Sequence, residues 1–322
     1  VLGARHTCAL VSDGRVACWG ALPGAGPSPK ILDTNIRFDA LAAGGEQTCG
    51  RSGTALYCWG RGGAVPGGES TIPRLVPGNI PLTGQLSVGR DHACALATDG
   101  AGYCWGDNSL GQLGTGDRNV AYTPTPVLTT QRFQHLRPGP GFTCGLPPTG
   151  PVLCWGANAY GQLGRGFFSA SEPLPAPIRL SLAGSLSSGA GEHVCTITGG
   201  GPFVWCWGRN DTGQLNDGTT ISKATPQAAG FSIAIVTTKT GTCWSDGKAD
   251  FCRGLIGGFQ YTDFMGNGFS SLQAGEEHVC ANFQFFNGSP SGVYCWGDNS
   301  FGQLGDGTLN SSRAPVFVKL NL

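Results

Sequence analysis

The sequence has one Met and only 12% charged residues, and its 20 basic and 20 acidic side chains cancel. A chain with no net field has nothing to hold it on nucleic acid or an anionic membrane. No window approaches the twenty apolar residues that a transmembrane helix needs. No C-x-x-C cluster, no H-E-x-x-H and no G-x-S-x-G elbow occurs, and no D-x-D-x-D-G run offers a calcium loop. Neither a metal site nor a nucleophilic site is expected. Gly-rich stretches such as 199–201 open no helix that could cradle phosphate, so no nucleotide cofactor is expected either. The chain begins at Val1 without a charged-then-apolar leader, and reads as a processed or trimmed form.

What is abundant is Gly, at 55 positions, together with 14 Cys and 40% hydrophobic residues. That composition describes a packed fold rich in tight turns. The Cys fall as near neighbours: Cys8 with Cys18, Cys49 with Cys58, Cys94 with Cys104 and Cys144 with Cys154. Cys195 with Cys206, Cys243 with Cys252, and Cys280 with Cys295 complete the pairs. Paired Cys in such number point to disulfides and to an oxidising compartment, hence to secretion or the cell surface.

The first Cys of each pair recurs after 41, 45, 50, 51, 48 and 37 residues, which marks a repeat array. The unit reads G-x-x-H-x-C-A-L, a D-G turn, V-Y-C-W-G, then D-N-x-x-G-Q-L-G-x-G and P-x-x-V. Repeat hairpins start near 3, 44, 89, 139, 190, 238 and 275. "HACAL" and "GYCWG" (92–96 and 102–106) are short and β-prone, and Asp99-Gly100 lies between them, so they form an antiparallel hairpin. Cys94 and Cys104 are equidistant from Asp99, as Cys8 and Cys18 are from Asp13, which sets the two sulfurs face to face. Closing a loop of ~10 residues by a disulfide is worth roughly 2.5–3 kcal/mol on chain-entropy grounds. With a P-x-x-V strand and an F-x-x-L strand following each hairpin, residues 1–322 are expected to form one all-β, seven-bladed propeller. Its blades would be four-stranded and antiparallel, with one disulfide inside each. Joining Leu322 to Val1 reproduces an internal connector in kind. The N- and C-terminal segments are therefore expected to close the ring, the tail supplying strands that the first hairpin lacks.

The stretches W-G-D-N-S-x-G-Q-L-G at 105–114 and 296–305, with "WGANAYGQLG" (155–164) and "WGRNDTGQLN" (207–216), resemble the signature of the regulator of chromosome condensation repeat family. That resemblance implies a seven-bladed propeller. The H-x-C-A-L and Y-C-W-G form with paired Cys is similar to the family's secreted bacterial branch. Blades one and two lack G-Q-L-G, and blade six has Arg253-Gly254 where the others have W-G. A light-sensing member of the family relies on Trp in the G-x-x-H segment, but Ala4, Arg5, Arg90 and Asp91 stand there, so light sensing is not implied.

His6, His92, His193 and His278 each precede a Cys by two residues. They belong to different blades, so they read as half-buried rings bonded to neighbouring turns, and Glu276-Glu277 reads as solvated. Individuality lies in the non-repeat insertions. Residues 165–177 carry Phe167 and Phe168, residues 257–269 carry Phe259, Tyr261, Phe264 and Met265, and residues 281–292 carry Phe285 and Phe286. These aromatics are the candidate contact residues. Strand direction sends the first two insertions from one propeller face and the third from the other. The expected function is that of a non-enzymatic extracellular module that binds a protein or builds an adhesive scaffold. The alternatives are a subunit of a homopolymeric filament or sheath, whose partner is a copy of itself, and a secreted inhibitor of an enzyme.

Overall fold

The structure is a computed structural model. It describes residues 1–22, 25–78, 80–180, 183–198, 201–245, 250–261, 264–266, 269–283 and 291–319. Seven antiparallel sheets follow one another around a ring, each starting at its inner strand and ending at its outer one. Blade three shows the plan: inner strand Leu86–Val88, hairpin strands His92–Leu96 and Gly102–Gly106, and outer strand Ala121–Pro126. The P-x-x-V run is the outer strand. The F-x-x-L run is the inner strand of the next blade, where Phe133 and Leu136 precede the hairpin of blade four.

Each hairpin pairs its first Cys with its second in register, as at Cys94↔Cys104 and Cys144↔Cys154. All seven disulfides form inside their own blades, at Cα–Cα separations of 4.1–4.2 Å, and no cysteine is free. The D-G turns need a left-handed residue, and Gly14 and Gly100 supply it at φ 83° and 82°.

Blade one departs from the plan. Blade one has three strands, His6–Leu10, Val16–Gly20 and the two-residue Lys30–Ile31. Its inner position is filled by the first residues of the chain: Leu2 bridges Thr7, and the Val1 carbonyl accepts from the Cys8 amide at 2.9 Å. Among the described residues the tail does not pair with this hairpin. Ser312–Phe317 is instead the outer strand of blade seven, paired with Gly292–Gly297. Its P-x-x-V run, Pro315 to Val318, matches those of the outer strands of blades two and three, Pro73 to Val76 and Pro124 to Val127, and the polypeptide reaches it directly from its own blade's loop. The ring joins through side chains: Val318, Leu304, Leu2 and Trp19 share one core cluster between blades seven and one. In blade six the described parts of the outer strand, Phe259–Tyr261 and Phe264–Gly266, both pair with Asp250–Ile256.

Cohesion between blades comes from the repeat motif. Trp19, Trp59, Trp105, Trp155, Trp207 and Trp296 are fully buried. The main-chain carbonyl of the G-Q-L-G Gln reaches into the following blade. Gln112 O accepts from Trp155 Nε1 at 2.9 Å and from Thr143 Oγ1 at 2.8 Å. Gln303 O does the same for Trp19 and Thr7, which carries the pattern across the ring junction. The histidines complete this latch. They are fully buried rather than half-buried, and each Nε2 meets a Thr hydroxyl of the next blade: His6 with Thr48, His92 with Thr143, His193 with Thr242 and His278 with Thr7, at 2.8–3.0 Å. The Thr143 proton goes to the Gln112 carbonyl, so His92 Nε2 must carry the hydrogen and donate it. The Gly of G-x-x-H makes room for the ring. A Cβ at Gly89 would lie 2.8 Å from His92 Cε1, and one at Gly275 2.5 Å from His278 Cε1.

Candidate interaction faces

The hairpin geometry gives the ring two faces. One carries the Gly–His turns together with the D-N-x-x-G-Q-L-G loops, and the other carries the D-G turns. On the first face the loops are built by side chains closing on their own backbone. Asp107 Oδ1 accepts from the Ser109 amide at 3.1 Å, and its Oδ2 accepts from Gln112 Nε2 at 2.6 Å. Asn108 is buried; its Nδ2 donates to Thr115 and Asp117, and its Oδ1 accepts from the Leu113 amide. Asp298 and Asn299 repeat the arrangement in blade seven. These Asx groups are turn builders.

The variable residue before G-Q-L-G packs on the following blade. Tyr160 lies under the Arg209 guanidinium, and Phe301 under that of Arg5, both at 4.9 Å. Each loop then crosses to the next blade's outer strand: the Gly116 amide donates to Pro173 O, and the Gly166 amide to Ala224 O at 2.8 Å. Loop tips therefore line the outer circumference, and there the apolar side chains stand in solvent. Phe167 is 43% exposed and Phe168 57%, while Val120, Tyr122, Leu128, Leu174 and Ile221 on blades three to five are also exposed. Leu128 and Leu174 come together over Gly116, where an added Cβ would touch both.

The candidate contact residues do not share one environment. Phe167 and Phe168 are open. Phe259 is partly buried against the core of blades six and seven. Tyr261 is 1% exposed, with its hydroxyl donating to Arg313 O at 2.9 Å and its ring under the Arg313 guanidinium. It is a core residue, because strand alternation turns it inward from the outer strand of blade six. Phe264 and Met265 belong to the second half of that outer strand, and their side chains lie outside the described residues. Phe285 and Phe286 lie outside the described residues altogether. The exposed rim residues Val120, Tyr122 and Ile221 sit within repeat segments rather than insertions, and Leu174 sits in the 165–177 insertion but is not aromatic, so none of the four was singled out in the sequence.

Charges gather at the mouth of the central channel on the Gly–His face. Arg90 of blade three reaches Glu276 of blade seven at 3.5 Å, and Lys239 of blade six reaches the same carboxylate at 3.8 Å. Glu276 and Glu277 are therefore ion-paired and partly covered rather than solvated. Burial pushes the carboxyls of Asp91 and Glu277 above their ordinary range. Behind the mouth lies a cavity of about 430 Å³ lined by the inner strands of all seven blades. Among the described residues no group of three His, Cys, Asp or Glu could hold a metal ion.

Together these features define a disulfide-bridged seven-bladed propeller with two loop faces and an apolar rim. Models of the Regulator of chromosome condensation (RCC1) repeat match residues 1–21 and 85–112, and residues 99–146 and 291–321. Over those residues the chain carries repeats that match this family, and its curated relatives contain the same kind of repeat array. The human E3 ubiquitin-protein ligase HERC2 is 28% identical over 258 residues, which are 72% of this chain and 5% of that protein. The ultraviolet-B receptor UVR8 of Arabidopsis thaliana is 27% identical over a 360-residue alignment, covering 98% of this chain and 68% of the receptor. Yeast RCC1 (Prp20), solved with Kap60 bound, superposes with a TM-score of 0.79 at 20% identity, over 97% of this chain and 85% of that one. A second Prp20p structure is described with its binding properties to Gsp1p and histones. The ectodomain of the Arabidopsis thaliana receptor kinase ACR4 superposes with a TM-score of 0.59 at 22% identity, over 91% of this chain and 90% of that one.

Proposed function

We propose that the protein is a non-enzymatic, extracellular protein-binding propeller that engages its partner through the apolar rim of blades three to five. The observation that carries this reading is the adjacent pair Phe167 and Phe168, 43% and 57% exposed, on blades whose Val120, Leu174 and Ile221 are exposed as well. Large apolar side chains on a rigid support lose little conformational entropy on docking, and such residues anchor protein interfaces. Blades stapled one by one supply that rigidity, and seven disulfides fit an oxidising compartment. Propellers of this fold in yeast are described bound to a protein, which supports the same class of function here. No partner with a name is implied, and adhesion, self-assembly and inhibition are uses to which such a surface lends itself.

The test replaces Leu174, another exposed rim residue, with a photo-crosslinking residue in the oxidised protein and exposes it to the surface fraction of its source. Cross-linking to one protein, lost in the Phe167→Ala/Phe168→Ala variant at unchanged melting temperature, is the expected result. Cross-linking to a second copy identifies self-assembly. A variant that retains its partner at wild-type affinity overturns the assignment of the rim.

A further inference from the structure

The inner strands place one residue per blade directly opposite the first Cys of each hairpin. In blades two to seven the register pairs Ala42 with Cys49, Ser87 with Cys94, Arg137 with Cys144, Ser187 with Cys195, Val236 with Cys243 and Gln273 with Cys280. All six line the central cavity, and in blade one Val1 occupies the corresponding place. They form one layer across the channel, and Arg137 is its single ionised side chain.

The guanidinium is fixed in place. Its Nε donates to Leu186 O on the next inner strand at 3.1 Å, and its own main-chain carbonyl accepts from Ser188 Oγ at 2.8 Å. Among the described residues no acceptor lies within bonding distance of Nη1 or Nη2, and no carboxylate pairs with this arginine. The ionised groups at the mouth satisfy one another, since Arg90 and Lys239 share Glu276. Burial disfavours the charged form of Arg137, with no acidic neighbour to offset it. Yet an arginine keeps its proton in proteins, so an uncompensated cation faces the cavity. Arg137 is only partly buried, so its terminal nitrogens are open to the channel and ready for an anion.

We infer that the central channel is a binding site for a single carboxylate, received end-on by Nη1 and Nη2 of Arg137. A guanidinium held by its Nε presents its two remaining nitrogens as a planar fork, which matches the two oxygens of a carboxylate. The flanking layer residues Ser87 and Ser187 carry hydroxyls that suit the same oxygens. The side chains at the remaining ring positions are uncharged, and the Val1 amino group donates to Cys8 O at 2.8 Å with burial lowering its pKa to about 6, so the channel takes one negative charge. Its volume of about 430 Å³ admits a small organic acid, or an Asp or Glu side chain at the tip of an inserted loop.

The site is separate from the rim, so its test does not depend on the reading of Phe167 and Phe168. Sodium acetate and the blocked tripeptide acetyl-Gly-Asp-Gly-amide are titrated calorimetrically into the oxidised protein at low ionic strength. Wild type, Arg137→Gln, Arg137→Lys and Phe167→Ala/Phe168→Ala are compared. The Gln amide can still donate to Leu186 O, and the Lys keeps the charge without the fork. Both probes, or one, should bind the wild type and the rim variant equally. Affinity should fall at least tenfold in Arg137→Gln and by an intermediate factor in Arg137→Lys. Acetate binding with exclusion of the tripeptide assigns the site to a free acid. Tighter binding of the tripeptide assigns it to a partner's side chain. Absence of binding by both probes, or wild-type affinity in Arg137→Gln or Arg137→Lys, overturns the inference.

Discussion

Lowering the pH from 7 to 5 should weaken this fold steeply, and the cause is the set of latch histidines. Burial drives the pKa of His92 and His193 down to about 4, and that of His6 and His278 to about 3. In the unfolded chain each titrates near ~6.5. The folded state therefore holds them neutral while the unfolded state takes up protons. Their contribution is complete above about pH 6.5 and is lost as the pH falls towards the folded values. At pH 5 the folded rings are still neutral, and the unfolded chain has gained about 1.5 pH units of protonation free energy per histidine. That amounts to about 2 kcal/mol each, and on the order of 8 kcal/mol for four independent sites. His135, partly buried and also shifted down by desolvation, adds in the same direction. Asp91 and Glu277 work in the opposite sense: burial raises their pKa values, so they gain stability as the pH falls through the carboxylate range. Comparing pH 7 with pH 5 keeps most of that effect outside the window. The assay is urea unfolding with disulfides intact, at both pH values. His92→Gln retains an N–H donor for Thr143 without a titrating group, and should remove about 2 kcal/mol of the difference. Equal wild-type stability at pH 7 and 5 would refute the reasoning, as would a His92→Gln variant that keeps the whole pH dependence.

Two further outcomes follow from the junctions between blades. Thr143→Val removes the hydroxyl between His92 Nε2 and Gln112 O and leaves a buried donor unmet, costing about 1–3 kcal/mol in urea unfolding at pH 7. Adding His92→Phe should recover some of that loss, whereas simple additivity would show that the two side chains are not coupled. Val318→Ala, at 1% exposure against Leu2 and Trp19, should cost on the order of 2 kcal/mol although it lies at the end of the sequence. An unchanged melting temperature would show that the contact between blades seven and one contributes nothing to the ring.

The propeller and its disulfides were legible because they depend on local spacing: a D-G turn midway between two Cys fixes the register without knowledge of any other blade. The wiring at the ring junction was not. "APVFVKLNL" was readable either as an inner strand of blade one or as the outer strand of blade seven, and only the pairing of Ser312–Phe317 decides it. Tyr261 was misjudged for a related reason. It stands in a segment that breaks the repeat, yet the segment still forms a strand, and alternation buries every second side chain. A signal for the latch was present and overlooked. Where a blade has His in its Gly–His turn, the next blade has Thr48, Thr143, Thr242 or Thr7 before its Cys. Where a blade instead has Gln47, Phe142 or Gly241, the next has Ala93, Val194 or Val279. Arg137 was passed over because a lone basic residue in a strand reads as solvated until its register places it in the channel.

Because every disulfide closes a loop within one hairpin, and none joins neighbouring blades, the protein has an unusual response to pulling force. Tension along the chain can separate neighbouring blades by breaking non-covalent contacts alone. The crosslinked hairpins stay shut, withholding segments of 9 to 15 residues each from the extended chain. At about 3.4 Å per residue, each closed hairpin shortens the reachable contour by roughly 3 nm or more. A stretched molecule would lengthen in blade-sized steps, each hairpin remaining as a knot-like bead, and reducing conditions would release the hidden length. That arrangement limits extension under load and keeps each blade ready to repack when the load is removed.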